Sequence, residues 1–330
     1  MVSTIRATRS ATARAQIIAR RPLMYAGGAR PDLDLPAHVR AGSGLCWVGE
    51  RLAVVQDDVR CVALVDPRTG SVEAVALAAG EGGLRQFDEG RGNKSHKLDL
   101  EACVAYREGD AHVLVAFGSG SSSRRETIVT VTLHDDGRRE VREVAAPQLY
   151  ASLRACAGFA GSELNIEGVV LGRDTLTFFQ RGNGAPALGR MPVDATASVP
   201  RAALMESLAR GEPAPAVPDA VLQYDLGAIE GARLTFTDAT RDGEDIVFLA
   251  TAEASPDAVR DGPVTGVALG WIAYDGEARL TTILGMDGRP FVDKAEGIAL
   301  DPSRPDRAYV VLDRDDAALP CELCVLTFTR

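Results

Sequence analysis

Short apolar runs recur along most of this chain, each closed by a polar turn. Runs at 45–48, 51–56, 62–65 and 72–77 are separated by Gly49-Glu50 and by Asp66-Pro67-Arg68-Thr69-Gly70. Pro and Gly in such a segment suit a tight turn. Four short strands in so few residues predict one antiparallel sheet. The pattern repeats at 100–106, 111–117, 126–133 and 138–145, with Asp136-Gly137 as a hairpin turn. A third group is predicted at 166–171, 175–180, 187–192 and 221–224, with a surface helix over 201–210. A fourth lies at 233–238, 245–251, 264–273 and 278–284, and a fifth at 296–300, 307–312 and 323–328.

The first run of each group carries a related signature. Lys97-Leu98-Asp99-Leu100-Glu101-Ala102, Asn165-Ile166-Glu167-Gly168 and Lys294-Ala295-Glu296-Gly297 are its strong copies. Ser43-Gly44 and Thr237-Asp238-Ala239 are weaker ones. A period of about 60–70 residues with four strands in each unit indicates propeller blades rather than solenoid turns. The expected fold is all-β: a single β-propeller of five four-stranded antiparallel blades, with six blades as the alternative if 78–97 or 197–220 hides another. The fifth group has only three runs, and a strand near Leu23 has no group of its own. That N-terminal strand is expected to complete the last blade and close the ring, which removes two exposed edges. Residues 1–20 are read as a flexible Arg-rich start and 21–330 as the propeller domain.

Net charge is −10 over 330 residues. This argues against a nucleic-acid partner, which needs a basic face. No apolar run is long enough to span a membrane as a helix. The six cysteines are scattered, and Cys321-x-x-Cys324 lacks a second pair to complete a zinc site. Its two side chains would point to opposite faces of a strand. A cytoplasmic monomer is the expectation.

In a propeller the first strand of each blade lines the channel, and its leading end shares one face with the far end of the second strand. Glu101, Glu167, Asp238 and Glu296 then converge on the channel. Gln56, Lys97, Arg181 and Lys294 sit at the same mouth. Several carboxylates in a narrow channel need a cation, basic partners or shared protons. A hard cation such as calcium suits carboxylate oxygens. Alternatively the carboxylates bond neighbouring inner strands and hold the ring together. In the first reading Glu101, Glu167, Asp238 and Glu296 hold a cation that activates water, and Glu101, Glu167 and Glu296 are the catalytic set. Lys97, Arg181, Gln56 and Lys294 then hold an anionic small-molecule substrate. A non-catalytic scaffold binding a protein on this face is the other class of reading.

The three strong copies resemble the Asp-x-Glu-Gly repeats of bacterial phytase-like or esterase-like propellers, and the likeness spans roughly residues 36–328. It implies hydrolysis of a phosphoester or ester, with calcium as the candidate cofactor. Ala102 replaces the usual Gly in one copy, and Asp238 has no Gly after it.

Overall fold

The apolar runs are continuous rather than alternating, and the computed structural model gives the reason. It describes residues 2–211, 217–254 and 262–330. Five four-stranded antiparallel groups are present among these residues. The first comprises Gly42–Val48, Arg51–Gln56, Cys61–Val65 and Val72–Ala76. The second comprises Leu100–Glu108, Ala111–Gly118, Thr127–His134 and Arg139–Ala145. The third comprises Ile166–Leu171, Thr175–Gln180, Asp194–Pro200 and Asp219–Asp225. The fourth comprises Ala232–Asp242, Asp245–Glu253, Val264–Ile272 and Ala278–Leu284. The fifth comprises Lys294–Leu300, Arg307–Asp313, Glu322–Thr329 and Arg14–Pro22.

Each group packs both faces against its neighbours. Val113 and Val115 turn to the third group, Leu114 and Ala116 to the first. Val247 and Leu249 face the fifth, Phe248 and Ala250 the third. Five apolar clusters lie one between each neighbouring pair. A strand buried on both faces has no polar side to show, so its sequence loses the two-residue alternation. The innermost strands touch in chain order, and Lys294–Leu300 returns to Gly42–Val48.

The N-terminal strand differs from expectation in its bounds. It begins at Arg14, not near residue 21, and pairs antiparallel with Glu322–Thr329, from Arg14↔Thr329 to Pro22↔Glu322. It also meets the fourth group through Ala15↔Ile283 and Gln16↔Leu284. Before it, Ser3–Arg6 runs parallel to Asp219–Asp225, and Thr8–Arg9 parallel to Ala278–Leu284. The Arg-rich start is therefore strand over much of its length, on the outer edges of two sheets.

Two further corrections concern the third group. Its third strand is Asp194–Pro200, and 187–192 holds only an isolated bridge between Ala187 and Arg190. Ala195, Ala197 and Val199 are small buried residues that fit between packed sheets; 187–192 is broken by Gly189 and Pro192. The helix Pro147–Ala155 was not expected. It opens on Pro, as the first helical turn allows, and buries Leu149, Tyr150 and Leu153 between the second and third groups. The expected helix over 201–210 is present as Arg201–Ala209. Residues 78–97 form loop and short 3-10 turns and add no sheet. No helix among the described residues is long and apolar enough to cross a membrane.

Cys321 and Cys324 are buried in different clusters, on opposite sides of the fifth group. Burial pushes the Cys324 thiol up to about 12 and the Cys321 thiol further. A thiol held protonated is a poor nucleophile and ligand. The native protein should therefore show no stoichiometric zinc at this pair. Labelling of both by a thiol reagent should be slow until the protein unfolds; fast native labelling would contradict the packing.

Candidate functional site at the channel mouth

A single irregularity recurs in all five innermost strands. The pairing register skips one residue between Gly42 and Gly44, Leu100 and Ala102, Ile166 and Gly168, Phe236 and Asp238, and Ala295 and Gly297. The bulged residues are Ser43, Glu101, Glu167, Thr237 and Glu296. A β-bulge re-aims the extra side chain, and Ser43, Glu101, Glu167 and Glu296 line one cavity of roughly 1120 Å³.

The small residue after the carboxylate follows from the same geometry. A Cβ on Gly297 would lie 2.9 Å from the Leu45 amide nitrogen, and one on Gly44 2.9 Å from the Glu101 carbonyl oxygen. Close approach of the next inner strand selects Gly here. The Glu-Gly signature is thus a bulge followed by a point of close approach.

This register separates Asp238 from the glutamates. Thr237 is the counterpart of Glu101, Glu167 and Glu296; Asp238 occupies the position of Gly168 and Gly297. Its carboxylate accepts hydrogen bonds from the amides of Ile298 (2.8 Å) and Ala239 (2.7 Å), and the Leu45 amide also donates to it. It ties inner strands together and does not line the cavity. Thr237 donates to the carbonyl of Ala295 at 2.8 Å.

Gln56 is likewise placed away from the cavity. Its amide oxygen accepts from the Arg40 amide at 2.8 Å, and its nitrogen donates to the Cys61 carbonyl at 2.8 Å. Gln180 does the same for Asn165 and Arg181 in the third group. Both glutamines pin the start of an inner strand to the far end of the second.

The remaining expected residues do meet. Lys97 sits between Asp57 and Asp99, 2.6 Å from Asp99 Oδ1. Arg125 reaches the other Asp99 oxygen at 2.8 Å, and the Ser119 hydroxyl donates to it. Asp99 holds φ +57°, an uncommon backbone for a non-glycine residue. Arg181 binds Glu253 at 2.8 Å, the Thr235 hydroxyl at 3.2 Å and Glu167 at 3.4 Å. Asn165 donates to Glu167 at 2.7 Å. Lys294 lies 2.8 Å from Asp315 and 3.3 Å from Asp313. Arg40 lies between Asp58 and Asp88. Each basic group that the sequence assigned to an anionic substrate is thus engaged by carboxylates.

The pairing sets the titration behaviour. Burial opposes the charge on Lys97, but Asp57, Asp99 and Glu101 outweigh it and hold the ammonium well above its usual range. Burial also raises Asp99, yet Lys97 and Arg125 more than reverse this and hold it below the usual carboxylate range. Glu101 goes the other way: burial, then Asp99 and Glu167, push it well up. Glu296 is raised by burial against the pull of Arg181 and Lys294. Asp58 is pushed up to about 8 by burial and Asp57.

A Lys97→Met change should therefore cost about 3 kcal/mol near neutrality, because it strands Asp57 and leaves Asp99 with Arg125 as its only cation among the described residues. On the alkaline side Lys97 keeps its contribution up to about pH 10 and loses it above its raised value. These acids would take up protons on acidification. The deficit of the variant should be largest near pH 7–9 and shrink toward about pH 4. Melting curves across that range check this; a pH-independent deficit would refute the ion-pair account.

Of the residues at the second-strand exits, only Thr251 lay beyond the sequence reading. Position by position, the residues one beyond the register partner of each pre-bulge residue are Asp57, Ser119, Arg181, Thr251 and Asp313. All are polar, and the signal needs the strand register to be seen. Arg40, Asp57, Asp58 and Lys97 were visible as polar ends; Asp88, the second partner of Arg40, was not. His96 turns away, pairing with Glu81 in a separate smaller cavity with Arg60 and Glu143.

The model of a family of unknown function, DUF6929, matches residues 38–328. The chain belongs to the DUF6929 family. No curated protein matches the sequence. Among solved structures, the chain is similar to the α-L-arabinanase of Cellvibrio cellulosa at 10% identity and TM-score 0.44, covering 88% of this chain and 91% of that one. It is similar to a calcium-binding protein, regucalcin, from Agrobacterium tumefaciens at 10% identity and TM-score 0.40, covering 98% and 95%. A glycosyl hydrolase from Bacteroides ovatus gives 9% identity and TM-score 0.43, covering 88% and 84%. These likenesses carry nothing about the activity of this DUF6929 chain. The resemblance to phytase-like or esterase-like propellers extends to a propeller-like all-β fold and no further.

Proposed function

We propose that this chain is a five-bladed β-propeller, closed by Arg14–Pro22 as the outer strand of its last blade, that binds a small ligand at the channel mouth. The observation that carries ligand binding is Glu296. It is 3% exposed, lines the cavity, and neither of its oxygens accepts a hydrogen bond. A buried carboxyl without a partner is costly, and a donor on a ligand removes that cost.

The charge balance points to a cation first. Among the described residues, twelve acidic and eight basic side chains line the cavity. Asp57, Asp99 and Glu101 each offer an oxygen, all within 4.8 Å of one another. Their donor chemistry fits calcium, and Asp57 Oδ1 is buried without a hydrogen bond. Lys97 occupies two of the three carboxylates, so calcium must displace its ammonium. A bound divalent cation supplies Lewis acidity and lowers the pKa of water. This supports hydrolysis of a phosphoester, ester or lactone, with the anionic substrate admitted only after the cation has reversed the local charge.

Calorimetric titration with calcium, followed by assays on an aryl phosphate, an aryl ester and a lactone, tests this. Calcium heat should be present and should weaken about tenfold or more in Glu101→Gln, as loss of a charged ligand implies. Chelator should abolish turnover. Glu167→Gln should lower the melting temperature, since Glu167 anchors Arg181 and Asn165, and should leave calcium binding intact. Absence of both calcium heat and turnover would leave the protein-binding scaffold as the reading of this face.

A further inference from the structure

Glu296 differs from its neighbours in what it lacks. Lys97 already bridges Asp57 and Asp99, and Lys294 bridges Asp313 and Asp315. The cations nearest to Glu296 are Arg181 at 3.7 Å and Lys294 at 3.9 Å. Both are too far to hydrogen-bond it. Both are held closer elsewhere, Arg181 by Glu253 at 2.8 Å and Lys294 by Asp315 at 2.8 Å. Among the described residues Glu296 is therefore a buried acceptor that the cations leave without a hydrogen bond, and it lines the cavity.

The rest of the lining narrows what would satisfy it. Acidic side chains outnumber basic ones among the described lining residues, which favours a cation over an anion. Phe87 is the one aromatic side chain among the described lining residues. An aromatic cage for a quaternary ammonium is therefore absent from them. The recognition must come from N–H donors. Twice in this cavity the chain itself meets a carboxylate pair with a primary ammonium, at Lys97 and at Lys294.

We infer that the cavity takes a ligand bearing a primary ammonium group, which donates hydrogen bonds to the Glu296 carboxylate. This rests on the mouth being a ligand site, and it adds an organic-cation subsite distinct from the Asp57, Asp99 and Glu101 set. The cavity volume exceeds what one amine fills, so a ligand with several ammonium groups suits it, the outer ones lying against the carboxylates nearer the rim.

The test is calorimetry on the full chain with spermidine, with a neutral diol of similar length, and with calcium. Spermidine should bind and the diol should not. Glu296→Gln should weaken spermidine about ten- to a hundredfold, the effect of losing a charge-assisted hydrogen bond. A melting curve confirms that the variant is folded. Equal binding of diol and spermidine by the wild type would overturn the inference without recourse to any variant. Unchanged spermidine affinity in a folded Glu296→Gln would also overturn it. Calcium heat without spermidine heat would overturn it and leave the ligand site standing; no heat from either would remove both.

Discussion

Deleting residues 1–22 should leave a protein without a cooperative melting transition, and much of it insoluble. The deletion removes the whole outer partner of Glu322–Thr329, which keeps only its pairing with Arg307–Asp313. It also removes Ala15 and Ile17, which are buried between the fourth and fifth groups. Burying an isoleucine side chain is worth about 3 kcal/mol, and the lost backbone pairs add to this. The larger effect is on the edge: Glu322–Thr329 would present unpaired amides and carbonyls beside apolar side chains, a template for association. Deletion through Arg9 gives the contrast. It removes only Ser3–Arg6 and Thr8–Arg9, mostly exposed and paired on outer edges. That protein should stay soluble and lose only a few degrees of melting temperature, about 2–4 °C for each kcal/mol in a domain of this order of size. Equal behaviour of the two deletions would show that Arg14–Pro22 is dispensable.

Asp238→Ala should be the most destabilising point change near the channel. It strands the buried amides of Ile298 and Ala239, each without its carboxylate acceptor. An unsatisfied buried donor costs about 1–3 kcal/mol, so a loss of about 3–5 kcal/mol is expected, or roughly 10 °C in melting temperature. Asp238→Asn keeps one acceptor oxygen and should lose less than the alanine variant. Because Asp238 does not line the cavity, ligand affinity of the folded fraction should not change. A full melting temperature in Asp238→Ala would refute its tying role. Loss of calcium binding without loss of stability would return it to the ligand set.

These two cases mark where the sequence was legible. Strand positions and grouping followed from apolar runs and turn residues, because burial on both faces leaves a strong imprint. The third strand of the third group escaped because Asp194–Pro200 is built of small residues, Ala195, Ala197 and Ser198, with weak strand character. The helix Pro147–Ala155 escaped because nine residues give too little periodicity to stand out. At the site, the recurrence of Glu101, Glu167 and Glu296 was visible in spacing alone. The fourth copy was misaligned by one residue, since chemistry favoured Asp238 over Thr237. In a strand one residue is the difference between the channel and the neighbouring backbone. Gln56 was misplaced for a related reason: a polar residue at a strand end reads equally as ligand or brace, and only its partners decide.

The pairing of Arg14 with Thr329 also has a consequence for synthesis. The strand Arg14–Pro22 gains its antiparallel partner only once Glu322–Thr329 has been made. Until then it waits as a lone sticky ribbon, and contacts across such a separation form slowly. Ile17 and Ile18 would make that ribbon prone to clumping. Arg14, Arg20 and Arg21 flank them, and charges so placed keep nascent segments apart.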